Sequence, residues 1–308
     1  MISNEIAIKC IALSIMPGFG PVMQNRLISI CGSVEEAFIS FEEELQKRDQ
    51  EKPASERIGR KRIHGFVCNR DSDDILNKAK AIYQTCESHG IDAVTIYDDR
   101  YPQRFRNLDD MPLVLYIKGH LKINSYAHSV GVVGARRCSQ DGKSEAISEV
   151  ESEVMTNSAI ISGMAKGIDS YAHTAAIKND GYTIAVLGGG VDICYPSEHR
   201  ALYDRISERG CIMSEYPPGT TPRRYMFPKR NRLIAALSDR LYVIDVGRNS
   251  GTETTVAHAE RYGREVVKLC TIGVCHRENS EGYERRRYAV ALVTDITEYI
   301  NADSSSAD

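Results

Sequence analysis

The chain has no tryptophan, no C-x-x-C pair and almost no charge imbalance, with 39 Lys and Arg against 42 Asp and Glu in 308 residues. A net charge of −3 excludes a histone-like or polybasic protein. It leaves nucleic-acid binding open, because a local basic patch supplies phosphate contacts whatever the total. The nine cysteines are odd in number and scattered, so reduced thiols are expected rather than a disulfide framework. Cys275-His276 is the one adjacent pair with metal-ligand chemistry, and no second pair complements it. The apolar stretch from Ile6 to Met16 carries Lys9, has no basic leader or small-residue cleavage site, and is too short to span a bilayer. The expectation is a soluble cytoplasmic protein without a metal, a cofactor or a membrane partner. At 42% hydrophobic and 26% charged the chain folds, and its length suggests about two domains.

Residues 1–90 read as a small helical domain. An apolar helix stops at Pro17-Gly18-Phe19-Gly20, a second follows, and Gly32-Ser33 caps a third whose Glu35 and Glu36 suit the first-turn dipole. Helix, short glycine hairpin, helix is a form that presents backbone N–H groups to a phosphate, and equally the form of a plain helical bundle. Glu42 to Asp74 reads partly as an exposed connection, and Ile75 to His89 as a helix closed by Gly90. After Gly90, short β-type runs alternate with amphipathic helices: Ala93–Tyr97, Leu113–Ile117, Val130–Val133, Ala159–Ser162, Thr183–Leu187, Cys211–Glu215, Leu241–Val246 and Glu265–Leu269. That alternation predicts an α/β domain over residues 91–300, a mainly parallel sheet with helices on both faces. Its strand-to-helix loops line one edge. Residues 301–308 are a polar tail.

Four such loops carry candidate chemistry. Gly134-Ala-Arg-Arg-Cys-Ser139 opens a helix whose N-terminus favours anions. Its two arginines, and the lack of an acidic residue ending Ala159–Ser162, argue against NAD binding. Ser162-Gly-Met-Ala-Lys-Gly-Ile-Asp169 is a glycine nest with a cation, but not a P-loop. Asp169 and His173 stand at i, i+4, a spacing that serves catalysis, metal binding or a structural hydrogen bond. Gly188-Gly-Gly-Val-Asp-Ile-Cys-Tyr-Pro196 implies close backbone approach to a ligand or a neighbouring loop. Arg223-Arg-Tyr-Met-Phe-Pro-Lys-Arg-Asn-Arg232 is the densest basic run, interleaved with Tyr225 and Phe227. Cations for phosphates and aromatic faces for bases suit single-stranded nucleic acid. Ser250-Gly251-Thr252 adds a further phosphate nest.

At these residues the sequence resembles the DNA-processing protein A (DprA/Smf) family. The resemblance is carried by Val133–Ser139, by Ser162–Asp169 with Ala172-His173, by Thr183–Gly190 with Tyr195-Pro196, and by Ser214-Glu-Tyr-Pro217, Phe227–Ile234 and Ser250-Gly251-Thr252. Upstream, Tyr101-Pro102 and Leu115–Gly119 also fit. It implies an extended Rossmann-like domain after a SAM/helix-hairpin-helix-like one. It further implies single-stranded DNA binding, protection of incoming strands and loading of the RecA recombinase in natural transformation, by a homodimer. The implied DNA site comprises Gly134, Arg136, Arg137 and Ser139; Gly163, Met164, Ala165, Lys166 and Gly167; Arg224, Phe227, Lys229, Arg230 and Asn231; and Ser250, Gly251 and Thr252. The C-terminal end departs from the family pattern: Glu265–Leu269 runs into Cys270-Thr-Ile-Gly-Val rather than a Pro-Gly turn.

The alternative is a nucleotide-binding enzyme or sensor. Rossmann-like phosphoribohydrolases carry a G-G-x-G-T-x-x-E loop, whereas here Thr255 stands where the catalytic Glu would fall. General acid–base work needs a carboxylate there, so no enzymatic activity is expected.

Overall fold

The computed structural model describes residues 3–245 and 251–269; Ser250 and everything from Cys270 onward lie outside the described residues. Six helices come first: α1 (Asn4–Ser14), α2 (Pro21–Cys31), α3 (Val34–Ile39), α4 (Glu42–Glu51), α5 (Arg60–Arg70) and α6 (Asp73–Ser88). Their ends follow local rules. Pro21 opens α2, Gly32 closes it at φ +90°, and the Ser33 hydroxyl accepts the Glu36 amide to cap α3. The stretch from Glu42 to Asp74, expected to be partly an exposed connection, is mostly helical. Leu45, Asp49, Ile63 and Phe66 turn inward among many charges, and only residues 52–59 join the two helices.

The remaining elements are β1 (Asp92–Thr95), β2 (Val114–Gly119), β3 (Ser129–Gly134), α7 (Gln140–Met155), β4 (Ala159–Ser162), α8 (Ile168–Lys178), β5 (Thr183–Val186), α9 (Arg200–Arg209), β6 (Cys211–Ser214), α10 (Met226–Leu237), β7 (Arg240–Ile244), α11 (Thr252–Arg261) and β8 (Glu265–Leu269). The strands form one sheet in the order β1-β2-β6-β5-β4-β3-β7-β8. The first two pair antiparallel and the six from β6 to β8 are parallel. The chain steps outward from β3 to β6, then returns to the other side of β3 for β7. This is the Rossmann-like arrangement, in which the direction of winding switches beside the first parallel strand.

One buried cluster runs from the N-terminal helices into the sheet, joining Ile11, Leu27 and Phe66 to Tyr116, Leu202 and Ile212. Val34 donates its amide to the Tyr97 hydroxyl at 2.7 Å, and Asn25 reaches the Met111 carbonyl at 2.8 Å. A second cluster under α10 and a third under α7 and α8 cover the rest of the sheet. No helix among the described residues is long and apolar enough to cross a membrane, and Cys10, Cys31, Cys68, Cys86, Cys138, Cys194 and Cys211 are free thiols.

Candidate nucleic-acid interface

Parallel strands deliver their following loops to a common edge, and close backbone packing draws these loops together. A Cβ on Gly134 would collide with the Ile244 carbonyl, and one on Gly167 (φ +78°) with the Ala135 carbonyl. The Ile168 amide donates to Ala135 at 3.2 Å, so the loops after β3 and β4 form one surface. Arg136 and Arg137 project from it, exposed.

The anion nests expected here are already filled by the chain's own carboxylates. Ser139 caps α7 by accepting the Gly142 amide, while its own amide donates to Asp245, which packs against Gly142 at the helix start. In the next loop, buried Asp169 accepts the amides of Gly163 (3.2 Å) and Ala165 (3.3 Å). Met164 between them is buried at φ +63°. Burial pushes the Asp169 carboxyl up, against the pull of Arg230 and these amides. Lys166 is exposed but pairs with Glu198 at 2.5 Å. Asp169 and His173 do not serve each other. His173 Nδ1 lies 2.7 Å from the Thr183 hydroxyl, and burial drives its pKa down to about 3. No metal-binding group of side chains occurs among the described residues.

The basic run is half loop and half helix, because α10 starts at Met226, and helical phase divides its cations. Arg223, Arg224 and Lys229 are exposed. Arg232 turns inward to Glu215 at 2.5 Å. Arg230, expected as a DNA contact, is only 4% exposed. Its Nη1 donates to the carbonyls of Gly163 (2.7 Å) and Val186, and its guanidinium lies flat on Gly163, where a Cβ would collide. Burial pulls this guanidinium down to about 10. It forms the floor of the site and ties the ends of β4 and β5 to α10. Asn231 spans to the last loop, donating to the Gly251 carbonyl (3.3 Å) and the Thr254 hydroxyl (3.2 Å). Gly251 is exposed, Thr252 and Thr255 are buried, and Ser250 lies outside the described residues.

The triple glycine serves neighbouring chain. Gly189 packs on Pro222, the Gly190 amide donates to the Thr220 carbonyl at 2.8 Å, and Gly188 lies beneath the ring of half-buried Phe227. Sequence reasoning missed two residues. Tyr195, 55% exposed, packs on Phe227 with ring centroids 5.5 Å apart, and Asp245 fills the start of α7. An aromatic beside a glycine loop at a strand end was the available signal for Tyr195. Asp245 had none, since its partner is 106 residues away.

Residues 92–302 match the family described as DNA recombination-mediator protein A. The chain is 40% identical over 175 residues to DNA processing protein DprA of Streptococcus pneumoniae, spanning 57% of this chain and 61% of that protein. It is 32% identical over 218 residues to its namesake in Bacillus subtilis, spanning 70% and 73%. The X-ray structure of the Streptococcus pneumoniae protein superposes with a TM-score of 0.66 at 29% identity, over 87% of each chain. DNA processing protein A from Helicobacter pylori, described for its single-stranded DNA binding mode, shares the fold at a TM-score of 0.54 and 24% identity, over 70% of this chain and 95% of that one. With its order of motifs, its sheet and these matches in agreement, the chain belongs to the DNA recombination-mediator protein A family.

Proposed function

We propose that this chain binds single-stranded DNA across the loop edge, without catalysis, shielding incoming strands and assisting their transfer to RecA, as a cytoplasmic homodimer. The observation that carries the reading is that exposed cations and exposed aromatic rings share one sheet edge: Arg136, Arg137, Arg224 and Lys229 with Tyr225 and with Tyr195, which packs on half-buried Phe227. Cations bind the phosphates of either form of DNA, whereas ring faces add affinity only where bases are unpaired. The single-stranded DNA binding mode described for the Helicobacter pylori relative supports the same ligand. With Asp169 and Asp245 occupying the helix starts, exposed arginines are left as the phosphate contacts.

The test is fluorescence anisotropy across a salt series with a single strand, a blunt duplex of equal length and free nucleotides. Preferential binding of the single strand is expected, and equal affinity for the duplex at physiological salt overturns the reading. The RecA step is tested by the lag in RecA's DNA-dependent ATP hydrolysis on strands coated with single-strand-binding protein, which this chain should shorten. The dimer is tested by sedimentation equilibrium.

A further inference from the structure

We propose that the open face of Tyr195 is a base-stacking surface, the outer layer of an aromatic ladder that begins at Phe227; this rests on the single-stranded DNA reading above. Of the tyrosines among the described residues, only Tyr195 and Tyr225 are exposed, and one packs on Phe227 while the other precedes it by two positions. A lone exposed aromatic needs no explanation. One of them packs on the half-buried Phe227 ring, and the other lies in the same basic segment as Phe227 with Lys229 over its ring, so ring and charge meet here.

The loop bearing Tyr195 is held firmly. The Val191 carbonyl receives the Tyr203 hydroxyl, the Asp192 carboxylate receives the Gly219 amide at 2.9 Å, and His199 Nδ1 lies 3.2 Å from the Met164 carbonyl. Val191, Cys194, Pro196 and His199 are buried, so the loop turns the Tyr195 ring outward on a fixed base. Holding a ring in place beforehand lowers the entropy cost of stacking on it.

The ring spacing decides where a base goes. Tyr195 and Phe227 have centroids 5.5 Å apart and planes 36° apart. Inserting a base between them would need two stacking intervals, roughly 7 Å at ~3.4 Å each. A base therefore adds to the outer face of Tyr195 as a third layer.

Because the chain contains no tryptophan, Tyr195→Trp places a single fluorescent reporter on this face. Single-stranded DNA should quench it. A strand of the same length and charge with abasic sites throughout should bind without quenching. Tyr195→Ala should weaken single-strand binding by roughly 5- to 150-fold, with an unchanged salt slope and at most a small fall in melting temperature from the lost contact with Phe227, and Tyr195→Phe should restore most of the loss. If the wild-type protein binds single strands and Tyr195→Ala binds them equally well, or if DNA leaves the Tyr195→Trp emission unchanged, the stacking assignment fails and the general reading stands. If the wild-type protein binds no single strand, both fail.

Discussion

Arg136 and Arg230 carry the same charge at the same sheet edge and do opposite work. Arg136 is exposed, so Arg136→Ala should leave the melting temperature unchanged while reducing single-strand affinity. The slope of log affinity against log salt should fall by about 0.7 for the lost phosphate contact. Arg224→Ala should act alike, and a salt series of anisotropy titrations checks both. Arg230→Ala instead strips the donor from the Gly163 and Val186 carbonyls and leaves Asp169 without its nearby cation. A loss of about 3 kcal/mol in urea unfolding is expected, on the scale of breaking a buried charge pair; a variant as stable as wild type would remove Arg230 from the floor of the site. Phe227→Ala should cost binding about 1–3 kcal/mol with no change in salt slope. Its ring also packs on Gly188 and Tyr195, so a small drop in stability should accompany that loss.

At the scale of elements, α8 carries a buried histidine whose protonation opposes folding in acid. His173 is held near 3 by burial, below its ordinary 6.5. A lowered folded-state value favours the native state fully above pH 6.5, and this support is lost as pH falls towards 3, by at most about 1.4 kcal/mol per pH unit. His199, also lowered by burial, acts with the same sign. Asp169, raised by burial, acts oppositely: its support is full below 3.8 and declines as pH rises. Urea titrations at pH 7 and pH 5 should therefore show a loss of stability that His173→Gln reduces; an equal loss in the variant would place the sensitivity elsewhere.

The elements also differ in how legible they were. Each of the eight strands reads as a short apolar run: the central ones are buried and need apolar side chains whatever their partners, while the edge strands β1 and β8 keep enough of that pattern to be seen. Helix α10 reads as loop in the sequence, since Arg230 and Arg232 sit at inward positions and Pro228 falls in the first turn, where its missing N–H costs nothing. Helices α4 and α5 were obscured by charge for the same reason. The exposed cations of the site were legible. The carboxylates opposing its nests were not, because Asp245 meets Ser139 only through the sheet.

At the scale of the molecule, the core that joins the N-terminal helices to Tyr116, Leu202 and Ile212 predicts a single cooperative thermal transition. Removing residues 3–88 would expose that face of the sheet, so the fragment should aggregate or unfold; a stable fragment with native circular dichroism would show that the helices are dispensable.

Asp169 and Asp245 have a consequence for which anions the protein answers to. Each is a tethered competitor, present at its own helix start at an effective concentration on the order of millimolar or above. A free mononucleotide at micromolar levels has to outcompete a ligand that never diffuses away. On the proposed reading a strand does not need the nests at all, since its successive phosphates would meet several exposed arginines at once and their weak contacts would multiply. The built-in carboxylates are therefore expected to favour a polymer over a mononucleotide at the proposed interface, so that excess free nucleotide should displace a bound single strand poorly in the anisotropy titration.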